Sequence, residues 1–423
     1  MKRLFTIATL LLAAGWGLYL VAGGALSTAL GARLAGVVAR LGEGKVVSAA
    51  AFVHGRLLEA MWLATLLLAW AAVHALCARW RARLFSSRRL AWAGHAAVAL
   101  ICLNLWCAAA QRTVLFWGLF WQGAQTHNLT RFHIKLILAG EQIGPARAVL
   151  VGSSQVRAQI DEELLNSLLG SRLRATELHY PGNKAYDVFM MQPLVSRARP
   201  DYVIYYASEG DFHSGSVTEA VPAFLTAGAL PDLVRRGGLK FVPLERAGYG
   251  VLGEIVPLFR LREVISRRVF GPAIMDLNQQ AYDAALEASL ATRAAQWTKT
   301  FVLNDESRFH QQALTDLADR CRQSGQHLIL IAGELNPLVQ PTMAPEIRAG
   351  MLTLMRQLAA GSDHVTLIED LPPQAEADYM DLTHVNKDAQ ARFTRALAAR
   401  LEGILAARSR PAGETLRATP AAR

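Results

Sequence analysis

The feature that most constrains the fold is a series of short, continuous apolar runs separated by helical stretches in the last two thirds of the chain. Residues 148–151 read Ala-Val-Leu-Val, 202–206 read Tyr-Val-Ile-Tyr-Tyr, and 327–332 read His-Leu-Ile-Leu-Ile-Ala. A strand with one wet face alternates polar and apolar residues. These runs do not alternate, so both of their faces are covered, as in a parallel sheet. Residues 364–368 add a further strand. Residues 177–180 add another, closed by Pro181-Gly182-Asn183. Helical patterns lie between them at 160–169, 186–196, 308–324 and 386–407. The alternation predicts a doubly wound, flavodoxin-like α/β domain over 146–408, with its site at the carboxyl ends of the strands. Residues 212–300 interrupt the rhythm. They are read as a helical insertion that forms a lid or docks on a membrane or a partner. Residues 409–423 are rich in Pro, Ala, Gly and Arg and are expected to be a disordered tail.

The first 125 residues follow another pattern. Residues 4–25, 57–76 and 90–110 are three apolar runs of bilayer-spanning length. Their polar interruptions are few: Glu59 and His74 in the second, His95 and Asn104 in the third. Lys2 and Arg3 precede the first run. Arg79, Arg81, Arg83, Arg88 and Arg89 lie between the second and third. Basic clusters stay in the cytoplasm. The expected topology is therefore multi-pass, with the N-terminus cytoplasmic and everything after the third span periplasmic or extracellular. The alternative is a cleaved signal peptide ending near Gly23-Gly24-Ala25. Residues 114–121 are short and aromatic and are read as an interfacial segment. Residues 126–145 are the connector.

The net charge of +10 points to an anionic membrane surface or glycan, because the arginine cluster already follows from topology and no nucleic-acid motif is present. Of the four cysteines, Cys77, Cys102 and Cys107 lie in or beside the apolar runs and Cys321 stands alone. Neither a disulfide framework nor metal-ligand spacing follows. No metal and no cofactor are expected.

The chemistry rests on two short motifs. Gly152-Ser153-Ser154 follows the run 148–151, which puts a serine at a strand-to-helix turn. There its backbone N–H opens a helix and is placed to stabilise developing negative charge. Asp381-Leu382-Thr383-His384 stands just ahead of the last helical stretch. Ser154 as nucleophile, His384 as general base and Asp381 as its orienting acid make up an acyl-transfer set. Helix capping is the plain alternative for Ser154, and a polar turn for the other motif. Asp187 and Asp378 are alternative orienting acids. Glu334 and Asn336 follow the strand 327–332 and fall on the catalytic edge by topology. Tyr205, Tyr206 and Phe212 are aromatic enough to stack on a sugar or to fill a core.

With these residues in place, the stretch 146–405 resembles the SGNH (GDSL-like) hydrolase superfamily. Gly152-Ser153-Ser154 matches its first block, with Ser154 at the nucleophile position. Gly182 matches the glycine of the second block, and Asp381-Leu382-Thr383-His384 matches the last. The resemblance implies an oxyanion hole from the N–H groups of Ser154 and Gly182, with Asn183 as a further donor. Two positions depart from the family pattern. Ser153 stands where an aspartate is usual. Ala207-Ser208-Glu209-Gly210-Asp211 replaces the Gly-x-Asn-Asp of the third block, so its asparagine donor is missing and Ser208 or Asn183 is the candidate substitute. Ser208 and Glu209 are taken as substrate-binding, and Glu334 and Asn336 as substrate-binding or helix-capping. Gly-Ser-Ser on a membrane-tethered outer domain is similar to the branch of DltD, AlgJ and AlgX. That branch implies O-acyl transfer to a cell-envelope or exported polysaccharide, beside a membrane-bound O-acyltransferase that supplies the acyl donor. An esterase with the same triad is one rival reading. A non-catalytic scaffold or glycan-binding component is the other.

Overall fold

The computed structural model describes residues 56–57, 59–65, 67–69, 71–72, 75, 88–122, 126–142, 145–212, 220–262, 264–265, 268 and 290–409. The chain forms two compact units. One contains residues 1–142 and 219–283, the other 143–218 and 284–423. The segment 212–300, expected as an insertion, is therefore divided: most of it belongs to the first unit.

The second unit is an α/β fold built on five parallel strands. They are β1 (Ala146–Val151), β2 (Leu173–Glu177), β3 (Tyr202–Ala207), β4 (His327–Ala332) and β5 (Val365–Ile368), in the order β2-β1-β3-β4-β5. All six residues of β3 are buried, as its unbroken apolar run requires. On one face Leu150, Ile204, Ile329 and Ile331 pack against Phe393, Leu397 and Leu401 of the helix Lys387–Ser409. Helix Ala185–Val195 packs on helix Asp305–Gln323. The order of connection reverses between β1 and β3, so their carboxyl ends flank a crevice.

The second strand lies earlier than expected, at 173–177 rather than 177–180. Arg174 and Thr176 alternate with Leu173 and Ala175, a pattern suited to an edge strand and easily passed over in a search for apolar runs. Residues 178–180 still bond to the end of β1: Leu178 N–H donates to Leu150 O, and Tyr180 N–H to Gly152 O.

In the first unit the carboxylate of Glu59 accepts from the N–H groups of Val114 and Leu115 at 2.7 and 2.8 Å, at the start of helix Val114–Gly118. Arg56 bridges Glu59 and Glu141. The aromatic segment 114–121 is not an interfacial strip throughout. Phe116 and Trp117 are buried, and Trp117 stacks on His133 with ring centroids 4.3 Å apart. The connector is mostly the helix Asn128–Glu141. The expected span 4–25 and the tail from 410 onward lie outside the described residues, as does the side chain of His95. The run 90–110 forms the helix Arg88–Ala110. Among the described residues, no helix is long and apolar enough to cross a membrane, so the structure does not support the expected spans 57–76 and 90–110.

Candidate active site

The site begins where β1 stops. Gly152 has φ +142°. A Cβ there would lie 2.7 Å from Val156 Cγ2 and 3.0 Å from Tyr206 O, so only glycine allows the sharp exit from the strand. Ser153 caps the next helix, its Oγ accepting from Gln155 N–H at 3.3 Å. That cap needs a short acceptor, which serine supplies. Ser154 is the first residue of the helix Ser154–Gln159. Its backbone N–H has no acceptor among the described residues.

A second turn is tied to the first. Tyr180-Pro181-Gly182-Asn183 closes with Asn183 N–H donating to Tyr180 O at 3.2 Å, and Gly182 has φ +71°. Proline at the second and glycine at the third place of such a turn give each residue the backbone angle it favours. The Tyr180-to-Gly152 bond holds this turn beside the serine loop, and the Gly182 N–H has no acceptor among the described residues. Asn183 is different. Its backbone N–H is spent in the turn, and its buried amide donates to Met191 Sδ at 2.9 Å.

The last motif arrives from the far end of the sheet. Asp381 Oδ1 accepts from the N–H groups of Thr383 and His384 at 2.7 and 2.8 Å. Its Oδ2 meets His384 Nδ1 at 2.7 Å, and His384 Nε2 meets Ser154 Oγ at 2.8 Å. Three side chains separated by up to 230 residues thus form one hydrogen-bonded chain. Burial works against the charge on Asp381. The bonds from the His384 ring and from the two N–H groups outweigh it and hold the carboxyl well below the usual carboxylate range. With Nδ1–H directed at Asp381, the Nε2 lone pair is left for the serine proton. The other two candidate acids lie elsewhere. Asp187 accepts from Lys184 N–H at 2.8 Å. Asp378 pairs with Arg392 and accepts from Ala375 N–H.

The end of β4 fixes this loop. Asn336 is buried; its Nδ2 donates to Asp381 O at 3.0 Å and its N–H to Leu382 O at 3.1 Å. The hydroxyls of Tyr206 and Tyr379 both bond to the backbone of Glu334. Asn336 therefore grips the Asp381–His384 loop by its backbone. Glu209, expected beside the substrate, is buried and paired with Arg348, which also reaches Glu334 at 3.1 Å and Gly333 O at 3.2 Å. Burial pushes the Glu209 carboxyl up, and Arg348 opposes that. Ser208 is fully buried and its N–H donates to Asp211 at 2.9 Å. Burial carries Asp211 up to about 8. Tyr205, Tyr206 and Phe212 are all buried, as core residues are. Arg348 was not singled out in the sequence, because a lone arginine on the helix Pro345–Ala360 looks like any solvated helix charge. Among the described residues, no group of three or more His, Cys, Asp and Glu is arranged to hold a metal ion.

No family model and no curated protein matches the chain. Among solved structures it is similar to LAE5, an α/β hydrolase enzyme from the metagenome of Lake Arreo, Spain. The identity is 16% and the TM-score 0.32, over 61% of this chain and 95% of that one. The chemistry is accordingly read from the site's own geometry.

Proposed function

We propose that the chain is a serine-dependent acyl-transfer enzyme. The observation that carries this reading is the unbroken hydrogen-bonded chain from Ser154 Oγ through both ring nitrogens of His384 to Asp381 Oδ2. Ser154 Oγ attacks the acyl carbonyl while its proton passes to His384 Nε2. Asp381 holds the ring in the tautomer that can accept the proton and stabilises the imidazolium. The N–H groups of Ser154 and Gly182 are the donors available to the oxyanion. His384 then returns the proton to the leaving oxygen, and the acyl group remains on Ser154. A second hydroxyl, deprotonated by His384, resolves the acyl-enzyme.

The finer reading rests on the sequence. The three apolar runs, the arginine cluster between them and the Gly-Ser-Ser block favour a domain on the outer face of a bacterial inner membrane. The second nucleophile is then a hydroxyl of a cell-envelope or exported polysaccharide, and the donor comes by way of a membrane-bound O-acyltransferase. Water as second nucleophile would make the same residues an esterase.

The test is labelling by a fluorophosphonate probe, with mass spectrometry of ester-linked acyl groups on envelope polymers in a deletion strain. The parent chain should label at Ser154, and Ser154→Ala and His384→Ala should not. Polymers that lose acyl groups in both variants support transfer, whereas polymers that gain them identify an esterase. Parent behaviour in both variants, with no labelling, leaves a scaffold or glycan-binding component.

A further inference from the structure

Helix Leu244–Ile255 is built inside out for a helix in water. Its packed face consists of small residues: Ala247, Gly250 and Gly253 are the buried ones. Gly250 lies against the end of the helix Ala220–Phe224. A Cβ on it would sit 2.8 Å from Leu225 Cβ and 3.1 Å from the carbonyl oxygens of Leu225 and Val221. Its large apolar residues point the other way. Leu244, Leu252 and Ile255 are 73%, 40% and 65% exposed. With Gly248 they recur at intervals of four, four and three, which makes one stripe on a helix. Burying each of the three large residues would yield about 2 kcal/mol, yet the fold leaves them out and buries glycine instead. Small residues at the contact and large ones outside is how helices pack where the solvent is lipid.

The stripe is continuous with a second apolar surface. Asn104 donates from Nδ2 to Ile255 O at 2.9 Å and accepts from Leu258 N–H at 3.4 Å. This fastens the break before Pro257 to the helix Arg88–Ala110, on which Leu100, Ile101 and Leu105 are also exposed. The charge is complementary to an anionic bilayer. Leaving aside the basic residues that the positive-inside rule keeps in the cytoplasm, residues 26–56, 111–142 and 219–283 carry 15 Lys and Arg against 9 Asp and Glu, a net +6. Glu254 of this helix accepts from Ala227 N–H.

We infer that helix Leu244–Ile255 is an interfacial helix, lying in the plane of an anionic membrane with Leu244, Leu252 and Ile255 in the headgroup–acyl boundary beside the helix Arg88–Ala110. This rests on the membrane location proposed above but not on the acyl chemistry.

The test is a fluorescent reporter on the full chain. With the four cysteines replaced by alanine, Leu252→Cys, Ile255→Cys and, as control, the exposed Leu303→Cys are labelled with an environment-sensitive nitrobenzoxadiazole. Each is incorporated into vesicles of equal parts phosphatidylethanolamine and phosphatidylglycerol. Shallow nitroxide-labelled lipid should quench the probes at 252 and 255 at least about twofold more than the probe at 303, with a blue-shifted emission. Equal quenching at all three positions overturns the inference. So does failure of the chain to enter the vesicles, and so does cross-linking of copies through position 255, which would make the stripe a protein contact. Fluorophosphonate labelling of the same samples separates the two readings. Labelling without quenching sinks only the interfacial helix. Quenching without labelling leaves the helix in place and removes the acyl-transfer reading.

Discussion

The two units of this chain differ in the residues they leave exposed and in the charge they carry. Of the sixteen large apolar side chains exposed among the described residues, twelve belong to the first unit and four to the second. The second unit carries 22 Lys and Arg against 24 Asp and Glu, a net −2, beside the +12 of the first. Its apolar residues fill the faces of a sheet, and its half-buried Asp381, His384 and Ser154 form one hydrogen-bonded chain. The first unit buries Trp117, Phe132 and Phe224 but leaves leucines outside. One unit is shaped by water and by a reaction. On the membrane location proposed above, the other faces something apolar and anionic. If the division of labour is real, a substitution should affect one property and spare the other.

The largest effect is expected at the hydrogen-bonded chain. Ser154→Ala or His384→Ala should lower kcat on a simple aryl ester by about 10⁴-fold or more, with the double variant no worse than either single one, since the residues act as a unit. Membrane association should stay at the parent level, because both residues belong to the other unit. A vesicle-flotation assay alongside the kinetics checks this. Loss of flotation in either variant would break the comparison.

A stability effect of second rank is expected from His327, at the opposite end of β4 from the site. Its Nδ1 faces Arg408 at 2.6 Å and its Nε2 faces Thr366 Oγ1 at 2.8 Å. Burial, and then the Arg408 and His364 charges, push its pKa down to about 4 from an ordinary 6.5. The folded chain holds this ring neutral while the unfolded chain protonates it. The contribution is fully present above pH 6.5 and is lost as pH falls to about 4. The loss is on the order of 3 kcal/mol. His327→Gln keeps an acceptor for Arg408 and cannot take the proton, so urea midpoints measured across that window should vary less than the parent's. An unchanged slope removes His327 from the account.

Asn336 tests how finely the site is held. In Asn336→Asp the donor to Asp381 O is lost while the shape remains. A slightly misplaced Asp381–His384 loop should lower kcat by about 10- to 100-fold with little change in KM. Asn336→Ala should do the same with a loss of stability, and a variant that keeps kcat but unfolds more easily would make Asn336 a packing residue only. The fold of this unit was legible in the sequence because covered strands have no alternation to hide behind, and Ser154, Asp381 and His384 were legible because the first stands where a strand gives way to a helix and the other two just ahead of the last helix. Leu173–Glu177 was not, since Arg174 and Thr176 break the continuous apolar run that marks a covered strand. Nor were the roles of Glu209, Glu334 and Asn336. They depend on Arg348, which reaches Glu209 across 139 positions, and on the Asn336 bond to the Asp381 carbonyl. No local pattern records such pairings. The small-inside, large-outside arrangement of Leu244–Ile255 was hidden for a related reason: which face of a helix is packed is decided by its neighbours.

The smallest effect belongs to the first unit and sharpens the contrast. Asn104 supplies both a donor to Ile255 O and an acceptor to Leu258 N–H, bridging the break between the helices Leu244–Ile255 and Pro257–Arg260. Asn104→Ala removes both bonds at an exposed position, where water can replace them, so the expected cost is about 1 kcal/mol. In lipid the replacement is missing, and the same variant should cost more in vesicles than in detergent-free buffer. Hydrogen exchange at residues 252–260 reads this directly: protection should fall in both settings, with the larger fall in vesicles, while exchange in β1 and β3 and turnover of the aryl ester stay at parent values. An equal fall in both settings would mean that this part of the first unit meets water after all, and the two units would then differ in composition alone.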